Sequence, residues 1–407
     1  MCRNGAPDQR PYCYPETMHP HDLIPAATWV RNLTTASLLL AVAVACGQSA
    51  NIDDTVAPAA DSVLPTAADK QSYVDQLHAL GVDKYLGIEP VSSTTVGDWE
   101  AYYYDVTAGA TCLHGTPYIV SVRPATVPTS ATVLYLQGGG ACWDELTCTL
   151  GFAKKTADVP DGYHNGIFDR TNPENPVKDY NIVFASYCDG SVFSGDAKVD
   201  YGGQETWHWG IRNLSAAVTI LRDRFADSTT LLVTGSSAGG FGTFMALGVV
   251  RAALPDRYIH LLNDSGPGIE NPKLAETMGR GIRRQWQFEQ FLPSDCVECD
   301  EQLLFLLDYA LAHDPDLSVG MYSYLDDSVI GTLFVQFFSA YPAILRETTD
   351  RIHERFPDRF RRFFVDGAEH TILANKQFYQ PFPQKGTVAD WTRAFLSNDL
   401  SHWIDWR

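Results

Sequence analysis

Positive charge is scarce in this chain. Its 407 residues hold 30 Lys and Arg against 49 Asp and Glu, a formal net charge of −19. So acidic a surface repels polyanions and speaks against a nucleic-acid partner. Long apolar runs are missing as well. The clearest one, residues 38–45, falls far short of the ~20 residues a membrane-spanning helix needs. No repeat of solenoid period is visible, and the 31 Gly and 23 Pro have no collagen-like spacing. What is present is globular in character. A content of 45% hydrophobic and 12% aromatic residues is ample for a large core and excludes disorder over most of the length.

Residues 1–30 are polar and Pro-rich and suggest no stable element. Arg31 is then followed by Leu38-Leu39-Leu40-Ala41-Val42-Ala43-Val44-Ala45 and the exit Cys46-Gly47. One positive charge, a short apolar stretch and small residues at its end describe an export signal over 1–46, with Met18 as a candidate true start. Ala43-Val44-Ala45-Cys46 resembles a bacterial lipoprotein box, which makes Cys46 a candidate lipidation site and membrane tether. The expected location is periplasmic, on the cell surface as a lipoprotein, or extracellular. Residues 47–70 are of low complexity and are expected to be a flexible linker. Residues 71–407 are expected to form a single domain with a helical insertion around 271–312.

Six of the nine cysteines lie in that body: Cys112, Cys142, Cys148, Cys188, Cys296 and Cys299. An even number in an exported chain argues for disulfides, although six cysteines allow 15 connectivities. Cys142 with Cys148 and Cys296 with Cys299 are the local pairs, leaving Cys112 with Cys188. A zinc site at Cys296-Val-Glu-Cys299 is the rival reading, weakened by the lack of a second pair or a nearby His.

Residues 71–80 have the pattern of a short helix. Residues 84–105 and 117–123 alternate like strands. Short apolar runs at 131–137, 180–186, 230–234 and 258–263 suit buried strands, with further candidates at 318–324 and 360–366. Helical patterns cover 204–225, 238–254 and the tail 388–405. Strands alternating with helices predict an α/β fold with a mostly parallel sheet covered on both faces. Such sheets place ligands at the carboxyl ends of their strands.

The run at 230–234 leads into Gly235-Ser236-Ser237-Ala238-Gly239-Gly240 and then a helical pattern. This is Gly-x-Ser-x-Gly in the strand, turn, helix setting that lifts a serine hydroxyl above a sheet. No Lys follows, so a phosphate loop is excluded. Ser237 is therefore the candidate nucleophile. Its base is expected downstream, at the end of a later strand, where His370 follows Val365-Asp366-Gly367-Ala368-Glu369. His353, in a charged helical pattern, is expected to be merely solvated. The acid that orients the base is expected to be Asp326, with Asp264 and Asp327 as the alternatives. An oxyanion needs preorganised N–H donors. Ala238, just after the nucleophile, and the loop Gly138-Gly139-Gly140 can supply them, and Trp143 could wall the pocket.

These stretches together resemble the pectin acetylesterase and Notum carboxylesterase family. The similar segments are Cys112-Leu-His-Gly-Thr-Pro, Tyr135-Leu-Gln-Gly-Gly-Gly-Ala-Cys-Trp143, Asn181 through Gly195, Leu232 through Gly240, and Asn263-Asp-Ser-Gly266. The resemblance implies an α/β-hydrolase fold. It also implies Ser237 as nucleophile, Asp326 as acid, His370 as base and Gly139, Gly140 and Ala238 as oxyanion donors. It suggests the pairs Cys112–Cys188 and Cys142–Cys148. The family often has Trp at or near the third glycine; here that place is Gly140-Ala141, with Trp143 displaced.

The resulting expectation is a secreted or lipid-anchored serine carboxylesterase, acting on small acyl esters such as acetyl groups on a glycan. It would be a monomer that needs no metal or cofactor. Rival expectations are a hydrolase of longer acyl esters and a catalytically dead surface-binding module. The negative charge opposes a long anionic polysaccharide unless a basic groove exists, which Arg280, Arg283 and Arg284 could provide.

Overall fold

The computed structural model describes residues 64–270, 280–333 and 340–407. The expected export signal, Met18, Cys46 and most of the expected linker lie outside these residues. The strands are β1 (Ser92–Val96), β2 (Trp99–Tyr104), β3 (Tyr118–Arg123), β4 (Ala131–Leu136), β5 (Asn181–Ala185), β6 (Ala197–Tyr201), β7 (Gln204–His208), β8 (Thr230–Ser236), β9 (Ile259–Asp264), β10 (Leu317–Tyr324) and β11 (Phe360–Val365). The helices are α1 (Ala67–Leu80), α2 (Glu145–Thr149), α3 (Gly210–Phe225), α4 (Ala238–Ala253), α5 (Arg280–Gln285), α6 (Phe305–His313), α7 (Ser328–Leu333), α8 (Tyr341–Arg355) and α9 (Val388–Leu396).

Nine strands form one sheet in the order β1-β2-β3-β5-β4-β8-β9-β10-β11, and β6-β7 form a separate hairpin. The strands from β5 to β11 in that order run parallel, while β1, β2 and β3 join antiparallel. Burial explains the difference. Every residue of β4, β5, β8, β9 and β10 is sequestered except the first of β8, whereas β1 is almost wholly exposed. Parallel strands need cover on both faces, and alternate side chains supply it. Leu134 and Leu136 join one core with α1, α3, α4, α6 and α8; Val133 and Tyr135 join the other with α9. This is the expected α/β-hydrolase type of fold.

Register decides where chemistry can occur. Leu136 pairs with Gly235, Ser236 with Asp264, and Tyr324 with Val365. The carboxyl ends of β4, β8, β9, β10 and β11 therefore lie along one edge.

Several expectations need correction. Residues 204–208 are strand β7, and the helix expected from 204 starts at Gly210. The cause is a two-residue turn at Gly202 and Gly203, both at positive φ (63° and 91°), which folds β6 back on β7. Helix α1 begins at Ala67, inside the expected linker, because Thr66 and Asp69 form a capping box. The tail helix ends at Leu396 rather than 405. Asn398 takes a left-handed φ of 53°, and the chain turns back so that Trp406 bonds to Arg362 and Phe364 of β11. Between α5 and α6, the insertion consists of short 3-10 turns.

Three disulfides join Cys112–Cys188, Cys142–Cys148 and Cys296–Cys299. Zinc at the last pair is replaced by this bond. Among the described residues, Cys142, Cys148 and His208 form a cluster of potential metal donors. Both sulfurs are committed to the disulfide, and the His208 ring nitrogens meet the Asp189 carbonyl and the Tyr201 hydroxyl.

Candidate active site

The turn from β8 to α4 is as tight as its residues demand. Ser237 has φ 58° and ψ −121°, a strained backbone for a residue with a side chain. Small neighbours make this possible. A Cβ on Gly239 would lie 2.0 Å from the Leu136 carbonyl oxygen, and one on Gly235 would lie 2.4 Å from that of Gly239. The Ser237 amide donates to the Asp264 carbonyl at 2.8 Å, which fixes the turn to β9. Ala238 opens α4 and lines the cavity, so its N–H has no partner within the helix and belongs to the helix's positive end.

The glycine loop after β4 lies beside this turn. A Cβ on Gly138 would meet Ser237 Cβ at 3.1 Å. Gly140 has φ 75°, and a Cβ there would lie 1.9 Å from the Phe152 carbonyl oxygen. The loop is held by its bridge to Ala153: Lys154 N donates to Gly139 O at 2.7 Å and Ala141 N to Phe152 O at 3.1 Å. That bridge uses neither the Gly139 nor the Gly140 amide. The Cys142–Cys148 bond and the Trp286 indole, which donates to Cys142 O at 3.0 Å, hold the far side.

His370 follows β11. Its Nδ1 lies 2.7 Å from Asp327 Oδ2, and that carboxyl is fully buried. The other oxygen, Oδ1, accepts from the amides of Val329 and Ile330 at 3.0 Å each, so Asp327 also caps α7. The carboxylate that meets His370 is thus Asp327, one of the expected alternatives, and not the favoured Asp326. Asp326 is exposed, and its amide donates to Gly367 O at 3.0 Å. After β10 the chain continues beside residues 365–368, and of the two successive aspartates only the second is buried. His370 Nε2 is buried with no hydrogen-bond partner in the protein, which leaves it available to a group in the cavity.

Ser237 and His370 line one cavity of about 340 Å³, together with Gly138, Gly139, Gly140 and Ala238. The expected nucleophile, base and oxyanion residues thus meet at one place. The remaining walls are Tyr135, Tyr163, Val329, Ile330, Ala374 and Asn375, with Ser236 and Thr371. Sequence patterns did not single out Tyr163. Its hydroxyl accepts from the Gln137 side chain at 3.1 Å, and Gln137 also accepts from Lys154 Nζ and the Tyr187 amide. Trp143 is not part of this wall. It is engaged with Thr147 and Tyr201 instead.

Asp264, the other alternative acid, does not meet the His370 ring through a hydrogen bond. It is fully buried, which raises its pKa; hydrogen bonds from Ser236, Leu373 and Ile372 and the charge of His370 pull the other way. His353 is not merely solvated, since its Nδ1 lies 2.7 Å from Phe360 O. Among the described residues, Arg280 and Arg284 line a separate depression of about 400 Å³ whose walls also hold Glu289 and Asp300, so it is no purely basic groove. Arg283 is buried and bonded to Cys299 O and Asp300 O, and Arg284 pairs with Glu289.

Residues 96–301 match the family described as Pectinacetylesterase. The chain is 25% identical over 167 residues to pectin acetylesterase 4 of Arabidopsis thaliana, covering 39% of this chain and 41% of that one. It is 23% identical over 237 residues to the palmitoleoyl-protein carboxylesterase NOTUM of Mus musculus, covering 56% and 43%. Against the Homo sapiens protein of that name it is 24% identical over 221 residues, covering 51% and 43%. The chain therefore spans about two fifths of the length of these relatives.

Proposed function

The chain belongs to the pectinacetylesterase family, and from that premise we propose that it is a serine carboxylesterase acting on small acyl esters, acetyl groups first among them. The observation that carries this reading is the shared cavity, into which the strained Ser237 turn, His370 with its Asp327 partner and the glycine loop all open. A hydroxyl, an imidazole and a buried carboxylate in this setting suit acyl transfer. Ser237 Oγ attacks the ester carbonyl while His370 Nε2 takes its proton. Asp327 holds the Nδ1–H and stabilises the imidazolium. The Ala238 amide and those of Gly139 and Gly140 receive the developing oxyanion, each such donor being worth ~2.7–4 kcal/mol. The imidazolium then protonates the leaving alcohol, and water, activated by the same base, clears the acyl-enzyme.

Substrate size follows from the walls. About 340 Å³ lies at the low end of the ~300–1,000 Å³ typical of ligand pockets. Tyrosines and an exposed Asn375 line it, which favours a short acyl group with a polar alcohol such as a sugar. Hydrolysis of longer acyl esters is the second reading, and likeness to the palmitoleoyl-protein carboxylesterases supports it. The three disulfides favour an oxidising compartment, in keeping with an exported chain tethered at Cys46. Among the described residues no helix is long and apolar enough to cross a membrane.

The test is hydrolysis of p-nitrophenyl esters from acetate to palmitate, alongside acetylated glycans. Acetate is expected to turn over fastest, and Ser237→Ala to abolish turnover and labelling by a fluorophosphonate. Activity surviving that substitution rules out the serine mechanism. Rates that rise with chain length favour the second reading.

A further inference from the structure

Asp327 fixes the His370 ring against α7, but it makes no contact that sets the ring's distance from Ser237. Asp264 is bonded to both sides of that gap. It ends β9, in register with Ser236 of β8 and Tyr322 of β10. Its main-chain carbonyl receives the amide of Ser237 itself at 2.8 Å. Its side-chain Oδ2 accepts from Ser236 Oγ at 2.6 Å, Leu373 N at 3.0 Å and Ile372 N at 3.1 Å. Its Oδ1 accepts from Ile372 N at 3.1 Å and Ser265 Oγ at 3.3 Å. Ser265 Oγ accepts in turn from Thr371 N at 3.3 Å.

Three successive amides after His370 are thereby tied, directly or through one hydroxyl, to the residue that holds the nucleophile turn. The tie acts where the chain is least free to relax. Thr371 and Ser265 sit at φ 65° and 55°, backbone that residues with side chains seldom adopt unless held there. Every partner of the carboxylate is a donor, and an ionised carboxylate only accepts, so the donor set matches the charged form. A charge with no exposure at all would be costly without these bonds.

We infer that Asp264 is a positioning residue: its carboxylate and its main-chain carbonyl together set the separation of the Ser237 turn and the His370 loop. This rests on the serine-esterase reading above. Geometry of this kind is worth a great deal, since a displacement of ~1 Å in a reacting group can cost ~10²-fold in rate.

The test compares Asp264→Ala with Asp264→Asn, reading amide exchange of the 370–375 segment together with kcat and KM on p-nitrophenyl acetate. In the Asn variant the amide oxygen can take the Oδ2 place, where Ser236, Ile372 and Leu373 converge. Its NH2 then faces Ser265 Oγ, which can accept. Asn therefore keeps the Oδ2 anchor and gives up the charge together with the Oδ1 share of the Ile372 bond. Alanine is expected to speed exchange of 370–375 by ~10-fold or more while the β4 segment stays protected. It should also lower kcat by ~10²-fold with KM within ~3-fold. Asparagine is expected to keep wild-type exchange and lose less than ~10-fold in kcat.

Alanine leaving both readouts unmoved overturns the inference. So does asparagine losing as much kcat as alanine with exchange undisturbed, because charge rather than anchoring would then be at work. If the alanine variant does not fold, the double variant Ser236→Ala/Ser265→Ala, which strips two hydroxyl links and keeps the carboxylate, replaces it; exchange there equal to wild type also overturns the inference. The exchange readout needs no substrate, so it separates failure of this inference from failure of the esterase reading, which Ser237→Ala tests alone.

Discussion

Exchanging one oxygen for an amino group at position 327 should nearly silence the enzyme, while the same exchange at 326 should not. The geometry determines how the new side chain of Asp327→Asn would sit. Two main-chain amides, those of Val329 and Ile330, donate to Oδ1 at 3.0 Å, so the side-chain amide must turn its carbonyl toward them. Its NH2 then faces His370 Nδ1 across the 2.7 Å gap now bridged by Oδ2. A donor in that place forces Nδ1 to accept, which moves the ring proton to Nε2. A protonated Nε2 cannot take the proton of Ser237. The site keeps its shape and loses its base. In serine hydrolases this exchange of tautomer lowers kcat by ~10⁴, about 5 kcal/mol of transition-state stabilisation. Asp326 is exposed and contributes its main-chain amide, which Asn retains, so Asp326→Asn should stay within ~2-fold, as surface changes usually do. The assay is steady-state hydrolysis of p-nitrophenyl acetate, with circular dichroism to show that both variants fold. A loss of less than tenfold at 327, or a large loss at 326, refutes the assignment of the acid.

Two other predictions concern stability. Burial pushes His208 and His260 down to about 4 from an ordinary 6.5. The unfolded chain takes up these protons near pH 6.5 and the folded chain does not until about pH 4, so each histidine lowers stability as pH falls through that window, by about 3 kcal/mol over its whole span. Urea unfolding at pH 7 and pH 4.5 should show His260→Gln losing ~2–3 kcal/mol less than wild type, and equal losses would refute the burial argument. Among the disulfides, Cys112–Cys188 closes 76 residues and Cys142–Cys148 only 6. Loop entropy puts their contributions at ~4–5 and ~2 kcal/mol, so paired Cys→Ala variants should lose stability in that order, and the reverse order in denaturant melts would refute it.

Much of the site could be read before any coordinates, because its demands are local. Gly235 and Gly239 flank Ser237 since no larger residue fits the turn, and that requirement shows directly in the sequence. The glycine loop and the place of His370 after β11 were legible for the same reason. The acid was not. Asp326 and Asp327 are adjacent in one turn, and which of them points inward depends on how β10 turns into α7, a matter of three-dimensional path. The Asp-capped helix start at 327–330 was the available signal. Residues 204–208, strand β7, share the helical pattern that continues into α3, although Gly202-Gly203 just before them is a turn signature. Tyr163 had no such signature, since it is placed at the cavity by its bond to Gln137 and its packing on Tyr135, Phe168 and Phe184, partners distant in sequence.

Within the cavity wall, Tyr163 stands on the long connection between α2 and β5, which carries none of the reacting groups, whereas Ser237, His370 and the glycine loop stand on turns that follow β8, β11 and β4 at one edge of a sheet whose strands are sealed on both sides. Recognition and chemistry are thus assigned to different parts of the polypeptide. A lineage, or an engineer, could lengthen or swap Tyr163's loop to admit another alcohol or acyl chain while the strand ends that aim the reacting groups stay as they are. Such division of labour leaves specificity free to drift between close relatives whose reaction is the same.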